Sequence, residues 1–331
     1  MSSTSPKPDS ATPLRTRLAI AFALAFFYGL LLYFAIWAGG TEQRSWIPFL
    51  AGLFLMPMAI ASVATSIADP RGERPIWRHI RNGWLVIWAL VAISLLFLGE
   101  GGICAVMAAP CFMAAAAAGS ALTSAVLGHL RRRAGTTFAI ALPLLPLLAL
   151  PFEPMLSYAD HHGAVTSVRV IDASPEDVWR HTVAVTDIKR GELPFSFSHD
   201  IVGAPRPESA TLEGHGVGAV RHVRWSRGVR FDEVITDWER NRHLAWTFQF
   251  GEDAIPASVE AHIDVDSAYL KVATGEYTLD ALPGGRTRLT LTTRYIIATP
   301  INAYCDFWGR IFLDDFHGAV LSVIKARAEK A

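Results

Sequence analysis

The sequence predicts an α+β chain in two parts: an all-α bundle of about five membrane-spanning helices, then a curved antiparallel sheet closed by one long C-terminal helix. Three observations carry this. Five charge-free stretches crowd the region before Phe152; from Val165 onward apolar residues alternate with polar ones; and the last 30 residues return to helical spacing. The formal net charge of zero conceals the division, because residues up to Phe152 hold 11 Lys and Arg against 5 Asp and Glu, and the rest hold 19 against 25.

The five stretches are 18–39, 46–68, 83–99, 102–128 and 135–152. A hydrocarbon core about 30 Å thick needs ~20 apolar residues in a helix. The first, second and fourth meet that length; the third and fifth are marginal. Pro143, Pro146 and Pro151 in the fifth remove backbone donors and kink a helix, which membrane helices tolerate where neighbours satisfy the freed carbonyls. Residues 1–17, rich in Ser, Thr and Pro, read as a disordered tail. The 22 uncharged residues after them exceed a signal-peptide core of ~7–15, so a retained anchor is expected.

Arginine marks the orientation. Loop 69–82 holds four Arg, and Arg131, Arg132 and Arg133 open the loop after the fourth stretch, whereas TEQR holds only Arg44 and the turn at Glu100 has no cation. The positive-inside rule then places the N-terminus in the cytoplasm of a bacterial-type inner membrane, and five crossings place the C-terminal part outside. Glu100, between Gly99 and Gly101, reads as a tight external turn and not as a proton-handling carboxylate at depth. The small residues of AAAAAGSALTSAVLG predict close helix packing. Cys104 and Cys111 lie in an apolar run and Cys305 stands alone, so no structural disulfide is expected.

After a linker at 153–164, the C-terminal domain is expected over 165–331. TSVRVI reads as a short strand; Ser174, Pro175 and Asp177 then form a helix start, with Ser174 as N-cap and Asp177 in the capping-box position. Turn signals fill 194–214. Strands follow around Val217–Trp225 and Val229–Thr236, then at 244–250, 259–265, 275–281 and 287–296, with Gly284 and Gly285 in the last hairpin. A three-residue loop Ser226–Gly228 sets Trp225 opposite Val229 and Phe231 opposite Val223, so that the apolar sets share one face; a two-residue loop would oppose them. That register brings Arg221 and Glu233 directly opposite one another on the inward face. Charges there need pairing, and the pair reads equally as an anchor for a ligand head group or as a buried ion pair that fixes register. From Pro300 a segment of about 30 residues carries Ile301, Tyr304, Trp308, Ile311, Phe312, Val320, Leu321 and Ile324 as an apolar stripe, with Asp306, Arg310, Asp314 and Lys325 largely opposite.

Strand, helix, antiparallel sheet and long final helix come in helix-grip order. With that order, IDASPEDVWRHTV, GHGVGAVRHVRW, GVRFDEVITDWERNRHLAWTF and GGRTRLTLTTRY resemble the SRPBCC superfamily, which includes START/Bet v 1-like and polyketide cyclase or dehydratase-like domains. The resemblance covers about 165 residues and implies a hydrophobic cavity between sheet and helix. The superfamily shares no catalytic residue, so none is carried over. The candidate ligand-binding residues are Arg221, Glu233, Trp225, Phe231, Trp246, Tyr295, Tyr304 and Trp308, of which the last three read first as core. His199, in PFSFSHD, is a weaker candidate for a general base. No phosphate loop, CxxC pair or HExxH is present, and neither metal nor cofactor is expected, the adjacent His161 and His162 lacking a suitably spaced third ligand. The acidic second part argues against nucleic acid. The expected partners are the bilayer and a lipid or other hydrophobic small molecule. Alternatives are a cyclase or dehydratase-like enzyme, which would use Arg221 with Glu233 or His199, and a ligand-responsive membrane sensor.

Overall fold

A computed structural model describes residues 13–37, 48–70, 72–130, 138–260 and 262–330. Most of the N-terminal tail, the TEQR loop and Arg131–Arg133 lie outside the described residues. The chain divides into two compact units, one holding Pro48–Ile93 and Ala109–Pro154 with the first helix, the other holding Ser94–Ala108 and the chain from Met155 onward.

In the first unit, α1 (Leu14–Trp37) is followed by a π-helical turn (Phe49–Leu55) that runs into α2 (Met56–Ala68), then α3 (Ile76–Phe97), α4 (Gly102–Leu130) and α5 (Phe138–Ala149). Among the described residues four stretches are long and apolar enough to cross a bilayer: Leu14–Trp37, Phe49–Ala68, Ile76–Phe97 and Gly102–His129. The third stretch, marginal by its charge-free length, reaches 22 residues because the helix starts at Ile76 and includes Arg78 and Arg81. The fifth is not one continuous α-helix among the described residues. Its α-helix has 12 residues with Pro143 and Pro146 inside, and continues as a 3₁₀ turn over Leu150–Met155. The expected close packing is present: a Cβ on Gly119 would fall 2.2 Å from the Met58 carbonyl oxygen, so only glycine lets α2 and α4 meet there.

The α3–α4 turn belongs to the second unit. Gly99 has φ +74°, as a tight reversal needs, and the Glu100 carboxylate lies 2.8 Å from His262 Nε2. A Cβ on Gly101 would overlap the Glu260 carboxylate, which accepts the Ile103 N–H at 3.0 Å. Glu100 therefore sits in a turn, as predicted, and its partner is a histidine 162 residues away.

The second unit is a seven-stranded antiparallel sheet of order β1-β7-β6-β5-β4-β3-β2 with helix α6 (Pro175–Val183) and the long C-terminal helix α7 (Asn302–Ala328). The strands are β1 (His161–Ile171), β2 (Pro207–Glu213), β3 (Val220–Trp225), β4 (Arg230–Glu239), β5 (His243–Gln249), β6 (Leu270–Leu282) and β7 (Arg286–Ile297). Ser174 caps α6 as its sequence signals indicate, its Oγ accepting the Asp177 N–H at 3.2 Å. The register of β3 with β4 is as predicted, with Val223 opposite Phe231 and Arg221 opposite Glu233. In the connecting loop both Arg227 and Gly228 are left-handed (φ +62° and +83°).

Four local expectations are corrected. Val217 precedes β3 and is exposed, because the turn through Gly214, Gly216 and Gly218 carries the chain there with positive φ at each glycine. The 194–214 region contains an edge strand, β2. It opens on Pro207, whose missing N–H costs nothing at the first position of an edge. The described residues of 259–265 form no strand: the Val259 N–H goes to the Pro256 carbonyl, the Asp264 N–H goes to the Tyr269 hydroxyl, and that hydroxyl donates to the His262 carbonyl. The first strand begins at His161, inside the segment read as linker.

Candidate functional site

The inward face of the sheet is set by alternation on each strand, and its burial changes along the strands. Ile235 and Glu233 on β4 are buried, and Phe231 is half-buried; Trp246 on β5 is buried, and Phe248 and Phe250 are half-buried; Val223 on β3 is buried, and Trp225 is half-buried. The interior is filled at one end, around Trp179, Leu244, Trp246, Tyr277, Leu289, Leu321 and Ile324, and burial falls toward the Phe231–Phe250 end, which is the more open of the two. α7 presents the stripe Tyr304, Trp308, Phe312 and Phe316, and of these only Phe312 is buried. Ring contacts link the open end: Phe231 to Phe250 at 5.4 Å, Phe248 to Phe250 at 6.0 Å, and Trp225 to Phe316 at 5.2 Å between centroids.

Arg221 and Glu233 lie at the closed end, 3% and 6% exposed. Arg221 Nε donates to Glu233 Oε2 at 2.5 Å, and Nη1 donates to the Thr182 carbonyl. The guanidinium also stacks over the Trp246 ring, 4.4 Å from its centroid, with Tyr277 at 5.6 Å. Burial pushes the Glu233 carboxyl upward, and Arg221 opposes it. The Trp246 ring lies over Gly275, where a Cβ would fall 2.4 Å from ring carbons. Gly275→Ala is therefore expected to displace Trp246 and cost about 1–3 kcal/mol, read as a lower unfolding midpoint of the full chain in detergent; an unchanged midpoint would show that the ring is free to move.

The sequence-derived candidates thus fall into separate groups. Arg221, Glu233 and Trp246 come together at the closed end, and Trp225 and Phe231 line the open end. Tyr304 and Trp308 stand on α7 with ring centroids 6.4 Å apart, the Tyr304 hydroxyl donating to the Met107 carbonyl at 2.6 Å. Tyr295 is buried in a small cluster with Val165 and Ile297, and its hydroxyl donates to Asp306 at 2.6 Å.

His199 is drawn into the open end, on a turn fixed by polar contacts. The Ser196 hydroxyl accepts the His199 N–H at 3.2 Å, and Asp315 on α7 accepts both the N–H and the hydroxyl of Ser198, at 2.7 and 2.6 Å. Asp200 accepts from Arg190 and Arg206, each at 2.8 Å. The imidazole is 3% exposed, stacks on Phe316 at 5.2 Å and lies 6.0 Å from Trp225. Burial lowers its pKa, opposed by the carbonyls of Ala204 and Pro205 and by Asp315 and Asp200.

His317 escaped the sequence reading. It is buried between α7 and strands β1 and β7, with Nε2 2.9 Å from Thr293 Oγ1 and Nδ1 3.1 Å from Ser167 Oγ; Ser167 in turn donates to Asp314 at 2.7 Å. The available signal was its place at i−4 from Leu321, a polar residue on the apolar face. Among the described residues no group of three or more His, Cys, Asp or Glu is arranged to hold a metal, and Cys104, Cys111 and Cys305 are in no disulfide.

No family model matches the chain, and no curated protein matches it. Several solved structures do. The chain is similar to the Zhui aromatase/cyclase from Streptomyces sp. R1128, with 15% identity, TM-score 0.32, and coverage of 51% of this chain and 95% of that one. It is also similar to a norcoclaurine synthase point mutant from Thalictrum flavum, with 12% identity, TM-score 0.34, and coverage of 52% and 97%. An uncharacterised protein from Rhizobium leguminosarum shows 16% identity and TM-score 0.30, with coverage of 52% and 98%.

Proposed function

We propose that this chain is a membrane-anchored binder of a lipid or other hydrophobic small molecule, taken up at the open end of a helix-grip domain. The observation that supports this is the fall in burial along the inward face, which leaves Trp225, Phe231, Phe248, Phe250 and Phe316 only half-buried around one space. Apolar rings that face inward and remain accessible gain free energy when an apolar ligand removes them from water, roughly 25 cal/mol per Å². The anchor provides proximity to a membrane source. Arg221 and Glu233, already paired and bonded to Thr182, act in this reading as the polar floor of the space; their donors and acceptors are committed to the protein.

The full chain purified in lipid nanodiscs is expected to retain an apolar molecule in near-stoichiometric amount, identified by mass spectrometry. Phe231→Arg, which puts a charge into the open end, is expected to lose it. Retention in a variant with Arg221 and Glu233 both made apolar favours simple burial. A chemically altered product lost in that variant favours the cyclase-like alternative. Recovery of bulk lipid alone, equal in wild type and Phe231→Arg, would sink the proposal.

We further propose that the N-terminus is cytoplasmic and the C-terminal domain extracytoplasmic. The support is the end point of the fifth segment: Glu153 accepts the N–H groups of Leu50 and Ala51 at the start of the second span, so the chain returns to the level from which that span departs. Its 12 α-helical and 6 3₁₀ residues extend about 30 Å, close to the thickness of a hydrocarbon core. An alkaline phosphatase fusion after Ala331 should be active; an inactive fusion with an active cytoplasmic reporter at the same site would reverse the orientation.

A further inference from the structure

Among the described residues at the open end, the His199 side chain has incomplete hydrogen bonding. A neutral imidazole has one donor nitrogen and one acceptor nitrogen. His199 Nδ1 lies 3.3 Å from the Ala204 carbonyl, which only accepts, so Nδ1 carries the hydrogen and Nε2 is a bare acceptor. Nε2 is buried and has no hydrogen-bond partner among the described residues. It is on the side of the ring away from Ala204, and the ring itself is packed on Phe316 and near Trp225. The turn that holds it is tied by Ser196, by Asp315 and by the Asp200–Arg206 pair, and the ring itself is held by the Ala204 carbonyl and by Phe316. A buried acceptor left unpaired is costly, and a ligand that donates to it removes that cost.

We propose that His199 is the hydrogen-bond acceptor for a hydroxyl on the apolar ligand, so that the site selects an alcohol or phenol over the corresponding ether or carboxylate. This rests on the reading of the open end as a hydrophobic binding space. An ether offers no donor, and a carboxylate sets a charged acceptor against an acceptor in a site walled by aromatic rings. The hydroxyl group therefore both orients the ligand and discriminates against fatty-acid anions.

The test uses the full chain in nanodiscs and three probes of one skeleton: 2-naphthol, 2-methoxynaphthalene and 2-naphthoate, measured by equilibrium dialysis against empty nanodiscs of the same lipid. Wild type is expected to bind 2-naphthol about tenfold more tightly than the ether, and the carboxylate more weakly than either. In His199→Phe, which keeps a ring on Phe316, affinity for 2-naphthol should fall to that of the ether while ether affinity stays. In His199→Gln, which restores an acceptor, part of the preference should return. Equal binding of naphthol and ether by wild type, or a preference that survives in His199→Phe, overturns the assignment while leaving the hydrophobic site standing. Absence of binding of all three above empty nanodiscs overturns both. If His199→Phe does not fold, wild-type discrimination and the His199→Gln series decide between these outcomes.

Discussion

Arg221→Leu and Glu233→Leu, each made alone, are expected to destabilise the C-terminal domain by about 3–5 kcal/mol, because each leaves an uncompensated charge in a closed interior. The double replacement Arg221→Met with Glu233→Leu is expected to recover most of that loss. Both residues are under a tenth exposed, their charges face one another across β3 and β4, and the remaining neighbours are Trp246, Tyr277 and a backbone carbonyl. The comparison is made on the full chain in detergent, from unfolding midpoints of the two single variants and the pair. If the single variants match wild type, the pair is solvated and the closed-end description fails. If the double variant is as unstable as the singles, the pair does more than neutralise itself, and its contacts with Thr182 and Trp246 carry the difference.

Acidification is expected to weaken the same domain through His317. Burial pushes this imidazole down to about 4, with Asp314 as the opposing influence, whereas an unfolded histidine titrates near 6.5. The fold therefore prefers the neutral form. Its contribution is present above pH 6.5 and is lost as pH falls from 6.5 toward 4, with a total on the order of 3 kcal/mol. The groups facing the ring are Thr293, Ser167 and, through Ser167, the Asp314 carboxylate. His199 and His181 are also lowered by burial and add a slope of the same sign. A difference measurement isolates His317: stability against pH for wild type and for His317→Asn, with wild type expected to be steeper between pH 4 and 6.5. Parallel curves would show that the ring titrates alike in the folded and unfolded states and that its burial does not favour the neutral form.

The local features were legible because each depends on a few adjacent residues. Ser174 with Asp177 gives a cap whatever the rest of the chain does, and loop length with side-chain alternation determines that Arg221 meets Glu233. Apolar length gives four helices long and apolar enough to cross a membrane; in the fifth stretch, prolines divide a continuous run into a short α-helix and a 3₁₀ turn. Where alternation misled, as at 259–265, the competing partners were side chains such as Tyr269, which no period can reveal. The edge strand at Pro207 was hidden by the turn residues around it, since an edge tolerates a proline that a central strand rejects.

By itself, then, the sequence determined which stretches are apolar, which turns reverse the chain, which register β3 and β4 adopt and which ionic pair that register buries. Tertiary structure alone decided which end of the sheet is filled and which is open, that His199 lies inside with one nitrogen unsatisfied, that His317 bridges α7 to β1 and β7, and that Glu100 pairs with His262. The physical reason is range: propensity, capping and alternation act over a few residues, whereas burial and the pairing of polar groups are set by elements more than a hundred residues apart, and those contacts exist only once the chain has closed on itself.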